Sequence, residues 1–227
     1  QGKTILLLGN GVSEKEIYFL ALGANIIYTD ISHTAVSYVS QKYDFGSKKK
    51  NICFHSMDAE NLVLPEESID YIIGYEFVHH LDNLMPFFKE VNRVLKNEGL
   101  CLFYDAAYSP AWQYLKFSIL KPIVDFSHKK SGISPQDLKA THRGGYKKSE
   151  LLYIKSAFNF SGMIYCRMGL FSRLIKRFIV KIIGQHNKAI NLLSSISPLI
   201  HDFDSKLSNN INFFYNNTQD LFWGFKK

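Results

Sequence analysis

Over its first 105 residues the chain alternates short β-branched or apolar runs with segments of helical period, and this alternation constrains the fold more than any other feature. Residues 4–8, 25–29, 51–55, 69–74 and 99–104 read as buried strands. Residues 13–22, 32–43 and 83–95 read as helices. The first opens on Ser13-Glu14-Lys15-Glu16, similar to a capping box, the second on the hydroxyl of Ser32, and the third stops at Asn97-Glu98-Gly99. Strand, helix, strand in succession makes a parallel pair. Right-handed crossovers then build an open sheet whose ligand crevice lies at the carboxyl ends of the strands, where the order reverses. The loops after Leu8, Thr29, His55 and Ile73 are thereby expected to meet.

After Asp105 the rhythm changes. Residues 112–124 and 148–158 read as helices joined by a polar link over 127–145, residues 161–167 as a sixth strand, and 220–226 as a last one. Residues 170–183 place Leu170, Leu174, Ile175, Phe178, Ile179 and Ile182 on one face and Arg173, Lys176, Arg177 and Lys181 elsewhere, a basic amphipathic helix. Its apolar stripe packs either on the domain's own core or, in the sharper reading, as a substrate lid or against a membrane surface. A length of 227 residues with 46% hydrophobic content fits one α/β domain with a full core. The expected division is residues 1–105 as one half and 106–227 as the other, with a helical insertion at about 170–212.

Cys53, Cys101 and Cys166 lie far apart and form no CxxC pair, so neither a disulfide framework nor a zinc knuckle is expected, and a cytoplasmic setting is. No run approaches the roughly 20 apolar residues that span a bilayer. The start carries no signal-peptide pattern, so the protein is expected to be soluble or peripheral to the inner face of a membrane. Because the first strand begins four residues in, a preceding segment stays open. Residues 1–114 carry 9 Lys and Arg against 14 Asp and Glu, net −5, whereas residues 115–227 carry 18 against 6, net +12. A basic second half suits a phosphate-bearing ligand, an anionic membrane surface or nucleic acid, or is a plain solvated face.

The run Ile5-Leu6-Leu7-Leu8-Gly9-Asn10-Gly11-Val12-Ser13 is a strand entering a turn and a helix, with Gly9, Asn10 and Gly11 where backbone approaches a ligand. The third glycine of a dinucleotide fingerprint is missing, and Glu14 stands where a pyrophosphate would sit. Asp30 ends the second strand about twenty residues on, followed by Ile31, at the position where a carboxylate accepts ribose hydroxyls. The alternative is that Asp30 caps the helix near Ser32.

The stretch Ser56-Met57-Asp58-Ala59-Glu60-Asn61-Leu62-Val63-Leu64-Pro65-Glu66-Glu67-Ser68-Ile69-Asp70 resembles the second and third signature regions of class I S-adenosylmethionine-dependent methyltransferases. Ile72-Ile73-Gly74-Tyr75-Glu76-Phe77-Val78-His79-His80-Leu81 and Phe88-Lys89-Glu90-Val91-Asn92-Arg93-Val94-Leu95-Lys96-Asn97-Glu98-Gly99 resemble the fourth and fifth. The likeness covers roughly residues 4–105. It implies a Rossmann-like, seven-stranded, mostly parallel sheet in the order 3-2-1-4-5-7-6, the last strand antiparallel, with helices on both faces. It also implies S-adenosylmethionine as cofactor, with Asp58 accepting the adenine amine, the Ala59 N–H meeting a ring nitrogen, and Tyr75 and Glu76 lining the methionine end. One departure stands out. Leu7 occupies the position, two before the first glycine, where the family usually carries an acid, so either Glu14 or Glu76 substitutes or affinity for the cofactor is lower.

Methyl transfer needs an aligned nucleophile and exclusion of water, with no metal. A hydroxyl acceptor gains from a nearby base, for which His79, His80 and His142 are the candidates, His142-Arg143 lying in the polar link. Trp112, Tyr114 and Tyr146 are candidates for an apolar acceptor wall. The expected activity is O-methylation of a small molecule or a glycan- or lipid-linked intermediate, with a phosphate-bearing acceptor favoured by the basic half. An RNA methyltransferase ranks below, since no RNA-binding module or Asn-Pro-Pro-Tyr motif is present. A noncatalytic scaffold retaining the fold is the alternative that Leu7 motivates.

Overall fold

The structure, a computed structural model, describes residues 1–12, 15–42, 46–108, 145–168, 198–200, 202–207, 210–211 and 220–227. Its strands are β1 (Thr4–Leu8), β2 (Asn25–Asp30), β3 (Ile52–Ser56), β4 (Ile69–Tyr75), β5 (Leu95–Ala106), β6 (Gly162–Met168) and β7 (Asp220–Lys226). They form one seven-stranded sheet in the order β3-β2-β1-β4-β5-β7-β6. The neighbours β1–β2, β1–β4, β2–β3 and β4–β5 are parallel. Strand β7 runs antiparallel to β5: Lys227 N–H reaches Gly99 O at 3.0 Å and the Cys101 thiol reaches Phe225 O at 3.4 Å, so partners on one strand climb as those on the other descend. The expected order and the reversed last strand are both present.

The chain divides into two compact units. The first comprises Gln1–Asp105, Lys148–Ile164 and Trp223–Lys227. Its sheet is covered on both faces by α1 (Lys15–Ala21), α2 (His33–Lys42), α3 (Leu84–Val94) and α4 (Lys148–Ala157). Period-two alternation separates two cores. Ile5, Leu7, Ile26 and Tyr28 pack with Leu20, Ala24, Val36 and Val39 of the α1 and α2 segments. On the α3 side, the Phe88 ring lies 5.9 Å from Phe103, 5.9 Å from Trp223 and 5.5 Å from Phe225, at the edge-to-face and tilted angles that aromatic quadrupoles favour.

Helix α3 starts at Asn83, whose side-chain oxygen accepts Met85 N–H at 3.0 Å, and buries Leu84, Phe87, Phe88, Val91 and Val94 along one stripe. Its end differs from the expectation. The helix closes at Val94 and Leu95 is already extended and paired with Ile69, because that side chain is fully buried in the sheet. Asn97-Glu98-Gly99 is instead an irregularity inside β5, with Glu98 at φ 64° and pairing resumed at Leu100 opposite Tyr71. The helix carbonyls are met from elsewhere: Lys227 Nζ donates to Asn92 O at 2.8 Å and Leu95 O at 2.9 Å, a cation at a helix C-terminus.

The second unit comprises Ala106–Lys147 and Tyr165–Phe222. Within it Ala107 and Tyr146 form a parallel bridge, and the buried Arg167 guanidinium donates to Tyr108 O at 2.6 Å. Tyr146, expected in an acceptor wall, is fully buried there. The basic amphipathic segment 170–183, the helix at 112–124 and the residues Trp112, Tyr114, His142 and Arg143 lie outside the described residues. No described helix is long and apolar enough to cross a membrane.

Candidate cofactor and acceptor site

Parallel register sets the site. Leu8 of β1 lies opposite Gly74 of β4, Asp30 of β2 opposite Ser56 of β3, and Tyr75 of β4 opposite Tyr104 of β5, so the loops that follow emerge at one edge of the sheet. Gly9, Asn10 and Gly11, Asp30 and Ile31, Asp58 and Ala59, Tyr75 and Glu76, and His79 and His80 are all on that edge. His142 lies outside the described residues.

Both loop glycines have φ near 58°, a backbone region costly to any side chain. At Gly9 a second reason is internal: a Cβ would lie 2.2 Å from the Phe77 ring, which packs over it. Leu7, where the family carries an acid, is 1% exposed inside the α1–α2 core and cannot reach the loop with a polar atom. The loop is held from β2 instead. The Tyr28 hydroxyl donates to Gly11 O, the Asp30 carboxylate accepts Gly11 N–H at 2.8 Å, and Asn10 N–H meets Thr29 O at 3.2 Å. Glu76, suggested as a substitute acid, ends β4 at φ 50° with its own N–H on Tyr104 O, and its carboxylate has no partner among the described residues. Glu14 lies outside them.

Asp30 also accepts Ser32 N–H at 2.8 Å, a turn bond to the residue that precedes α2. Helix α2 is capped by Ser32, whose Oγ accepts Ala35 N–H at 3.2 Å. Each Asp30 oxygen keeps a second lone pair for a ligand hydroxyl. Beside it Ile31 is 75% exposed and Val12 59%, apolar surface left in solvent next to a carboxylate, which suits an aromatic base joined to a ribose.

Asp58 folds its own turn, Oδ1 accepting Glu60 N–H at 2.9 Å, while Oδ2 has no partner among the described residues. That turn is pinned to α3. Arg93 donates to Leu64 O at 2.8 Å and Leu62 O at 2.7 Å, and the Glu90 carboxylate accepts Leu62 N–H at 3.0 Å. Glu90 is held below the usual carboxylate range chiefly by the Arg93 bond. The Glu90 and Arg93 of the fifth signature-like region thus place the Asp58 loop. The residues present therefore fit an adenosine group: a carboxylate for ribose, a free carboxylate oxygen for an amine, exposed apolar side chains between them and a glycine turn.

His79 and His80 occupy a short 3₁₀ turn, Val78–His80, with ring centroids 4.2 Å apart. His79 Nδ1 lies 2.6 Å from Asp105 Oδ1, and Tyr75 stacks on Tyr104 at 4.6 Å with a 6° tilt. Sequence reasoning missed three participants: Tyr28, Phe77 and Asp105. Only Asp105 carried a signal, an acid ending an apolar strand as Asp30 does.

A sheet of this order with ligand-ready groups at the carboxyl ends of its first four strands defines a class I methyltransferase fold. Residues 6–103 match the family model described as a methyltransferase domain. The Haemonchus contortus phosphoethanolamine N-methyltransferase 2, in complex with phosphomonomethylethanolamine and S-adenosylhomocysteine, superposes with TM-score 0.61 at 13% identity, covering 100% of this chain and 48% of that one. The cyclopropane synthase MmaA2 from Mycobacterium tuberculosis gives 0.61 at 16% identity, covering 100% and 78%. The Streptomyces coelicolor geranyl diphosphate C-methyltransferase, bound to Mg2+, geranyl diphosphate and S-adenosylhomocysteine, gives 0.60 at 9% identity, covering 100% and 73%. At such identities the likeness is one of fold. The chain spans about half the length of the Haemonchus enzyme. No curated protein matches it by sequence.

Tyr28→Phe is expected to lower stability by about 1 kcal/mol, one buried hydroxyl bond, and to weaken S-adenosylhomocysteine binding about fivefold if that energy is spent in ordering the loop. Thermal unfolding and calorimetric titration read the two effects. Unchanged affinity would mean that Asp30 alone orders Gly11.

Proposed function

We propose that the protein binds S-adenosylmethionine at the carboxyl edge of β1, β2 and β4 and methylates a hydroxyl of a small, phosphate-bearing or lipid-linked acceptor. The observation that carries this is the convergence of Asp30, the Gly9–Gly11 turn, Asp58 and His79 on one edge of the sheet. Asp30 holds the ribose, Asp58 and Ala59 the adenine with Ile31 beside it, and the Glu76 carboxylate and Tyr75 the methionine end. The sulfonium supplies an activated methyl group. The chain's own residues align the acceptor, exclude water and accept the hydroxyl proton at His79 or His80. In this reading residues 1–105 and 106–227 form one methyltransferase domain, the second half serving the acceptor in the cytoplasm or at the inner face of a membrane.

The net charge of +12 on residues 115–227 supports an anionic acceptor. Two of the similar folds have phosphate-bearing compounds bound, which agrees with that charge. The test is methyl-labelled S-adenosylmethionine offered with hydroxyl acceptors in phosphorylated and dephosphorylated pairs, after calorimetry with S-adenosylhomocysteine and with NADH as control. Micromolar homocysteine-product binding and label transfer favouring the phosphorylated member are expected. A folded sample that binds neither cofactor form would sink the reading, and equal transfer to both members would remove the phosphate preference.

A further inference from the structure

Asp105 is 1% exposed and its side chain fully buried, at the end of β5, where a carboxylate is expensive to place. Burial pushes its carboxyl up from the ordinary range, and the bond from His79 pulls it back. Its Oδ1 receives two groups of one residue, the backbone N–H of His79 at 3.4 Å and the ring Nδ1 at 2.6 Å. The second distance is short enough for a charge-assisted bond. Held from both backbone and ring, His79 has its side chain fixed relative to β5, with 22% of that side chain exposed. Its Nε2 has no hydrogen-bond partner among the described residues.

We infer that Asp105 is a positioning residue for His79, accepting Nδ1–H so that the imidazole is locked in the tautomer that presents a bare Nε2 to the acceptor. Of the three candidate bases, this assigns the role to His79. His80, whose ring lies against that of His79, shapes the turn. The proton lost by a hydroxyl acceptor moves to Nε2, giving an imidazolium whose charge Asp105 balances without taking the proton itself. Release from Nε2 to solvent restores the base. Histidine's place as a base rests on the proposed methyl transfer; the tautomer rests on the His79–Asp105 geometry alone, and it matches an acceptor that loses a proton on methylation, as the proposed hydroxyl does.

The test is long-range proton–nitrogen correlation NMR on protein with ¹⁵N-labelled histidine, with His79→Gln and His80→Gln identifying the signals. Wild type at alkaline pH is expected to show His79 as Nδ1–H with Nε2 unprotonated. Asp105→Ala is expected to lose that form in favour of the Nε2–H tautomer that histidine favours in water, while S-adenosylhomocysteine binding changes less than threefold. Wild-type His79 with its proton on Nε2 would overturn the inference, and so would an Asp105→Ala spectrum identical to wild type. A folded Asp105→Ala protein that no longer binds S-adenosylhomocysteine would make Asp105 a packing residue and overturn it too. Should Asp105→Ala not fold, the wild-type tautomer and Asp105→Asn decide the matter. Failure of wild type to bind S-adenosylhomocysteine sinks the methyl-transfer reading and leaves the tautomer result standing.

Discussion

Replacement of Asp30 by alanine is expected to weaken S-adenosylhomocysteine binding by about a hundredfold or more while the sheet stays folded. A carboxylate bonded to two ribose hydroxyls contributes about 1.5–3 kcal/mol per bond, and losing both multiplies the dissociation constant by about 10² to 10⁴. The same side chain holds Gly11 N–H at 2.8 Å and Ser32 N–H at 2.8 Å, so the turn that surrounds the ligand loosens as well. The fold itself has other supports. Ser32 caps α2 through Ala35 N–H, and the β1–β2 register from Thr4–Asn25 to Leu7–Tyr28 does not involve Asp30. Calorimetry and thermal unfolding separate the two roles: a large loss of affinity with a small shift in melting is the expected pair. A folded Asp30→Ala protein with wild-type affinity would take Asp30 out of the cofactor site. Asp30→Asn, which keeps one acceptor oxygen, is expected to fall between.

The first half of the fold was legible because parallel strands buried on both faces write themselves as apolar runs. Thr4–Leu8 and Asp220–Lys226 coincide with their expected bounds, and the other strands differ at their ends. The order of the strands came from the resemblance, since periodicity says nothing of which strand lies beside which. The end of α3 was misplaced because Asn97-Glu98-Gly99 has the chemistry of a helix stop, yet Leu95 is worth more buried beside Ile69 than as one further helical residue.

The hidden parts of the site are all long-range. Nothing local marks Tyr28 as a holder of the glycine turn. It reads as one more aromatic strand residue, and only the Leu7–Tyr28 pairing carries its hydroxyl to Gly11 O. With that bond and the Asp30 bond in place, the missing acid at Leu7 leaves an ordered turn, which weakens the case for a noncatalytic scaffold. His79 and Asp105 are likewise 26 positions apart and meet because Tyr75 and Tyr104 are paired. An acid ending a strand is a general sign of the ligand edge in open α/β sheets, whereas its partner is set by register.

Among the glycines of the described residues, Gly224→Ala is expected to be the most damaging substitution. At this point β7 passes so close to β5 that a Cβ would lie 1.9 Å from Cys101 O, 3.0 Å from Cys101 C and 3.1 Å from Leu102 Cα. The obstruction is backbone, so no rotamer change relieves it, and a glycine inside a strand commonly marks such an approach. Relief requires β7 to move away from β5, yet the flanking Trp223 and Phe225 are fully buried, with Phe88 5.9 Å and 5.5 Å away, and Lys227 anchors the strand end on Asn92 O and Leu95 O. Ordinary overpacking costs about 1–3 kcal/mol. A backbone clash between two anchored strands lies at or above the top of that range, against a total domain stability of about 5–15 kcal/mol. A loss of about 3 kcal/mol corresponds to a melting temperature lower by roughly 6–12 °C for a chain of this size. Because the clash is remote from β1, β2 and the glycine turn, the affinity of the folded fraction for S-adenosylhomocysteine should be nearly unchanged. Calorimetric melting and titration of the same sample read both quantities, and an unaltered melting temperature would mean that β7 does not lie against β5 at Cys101 in solution.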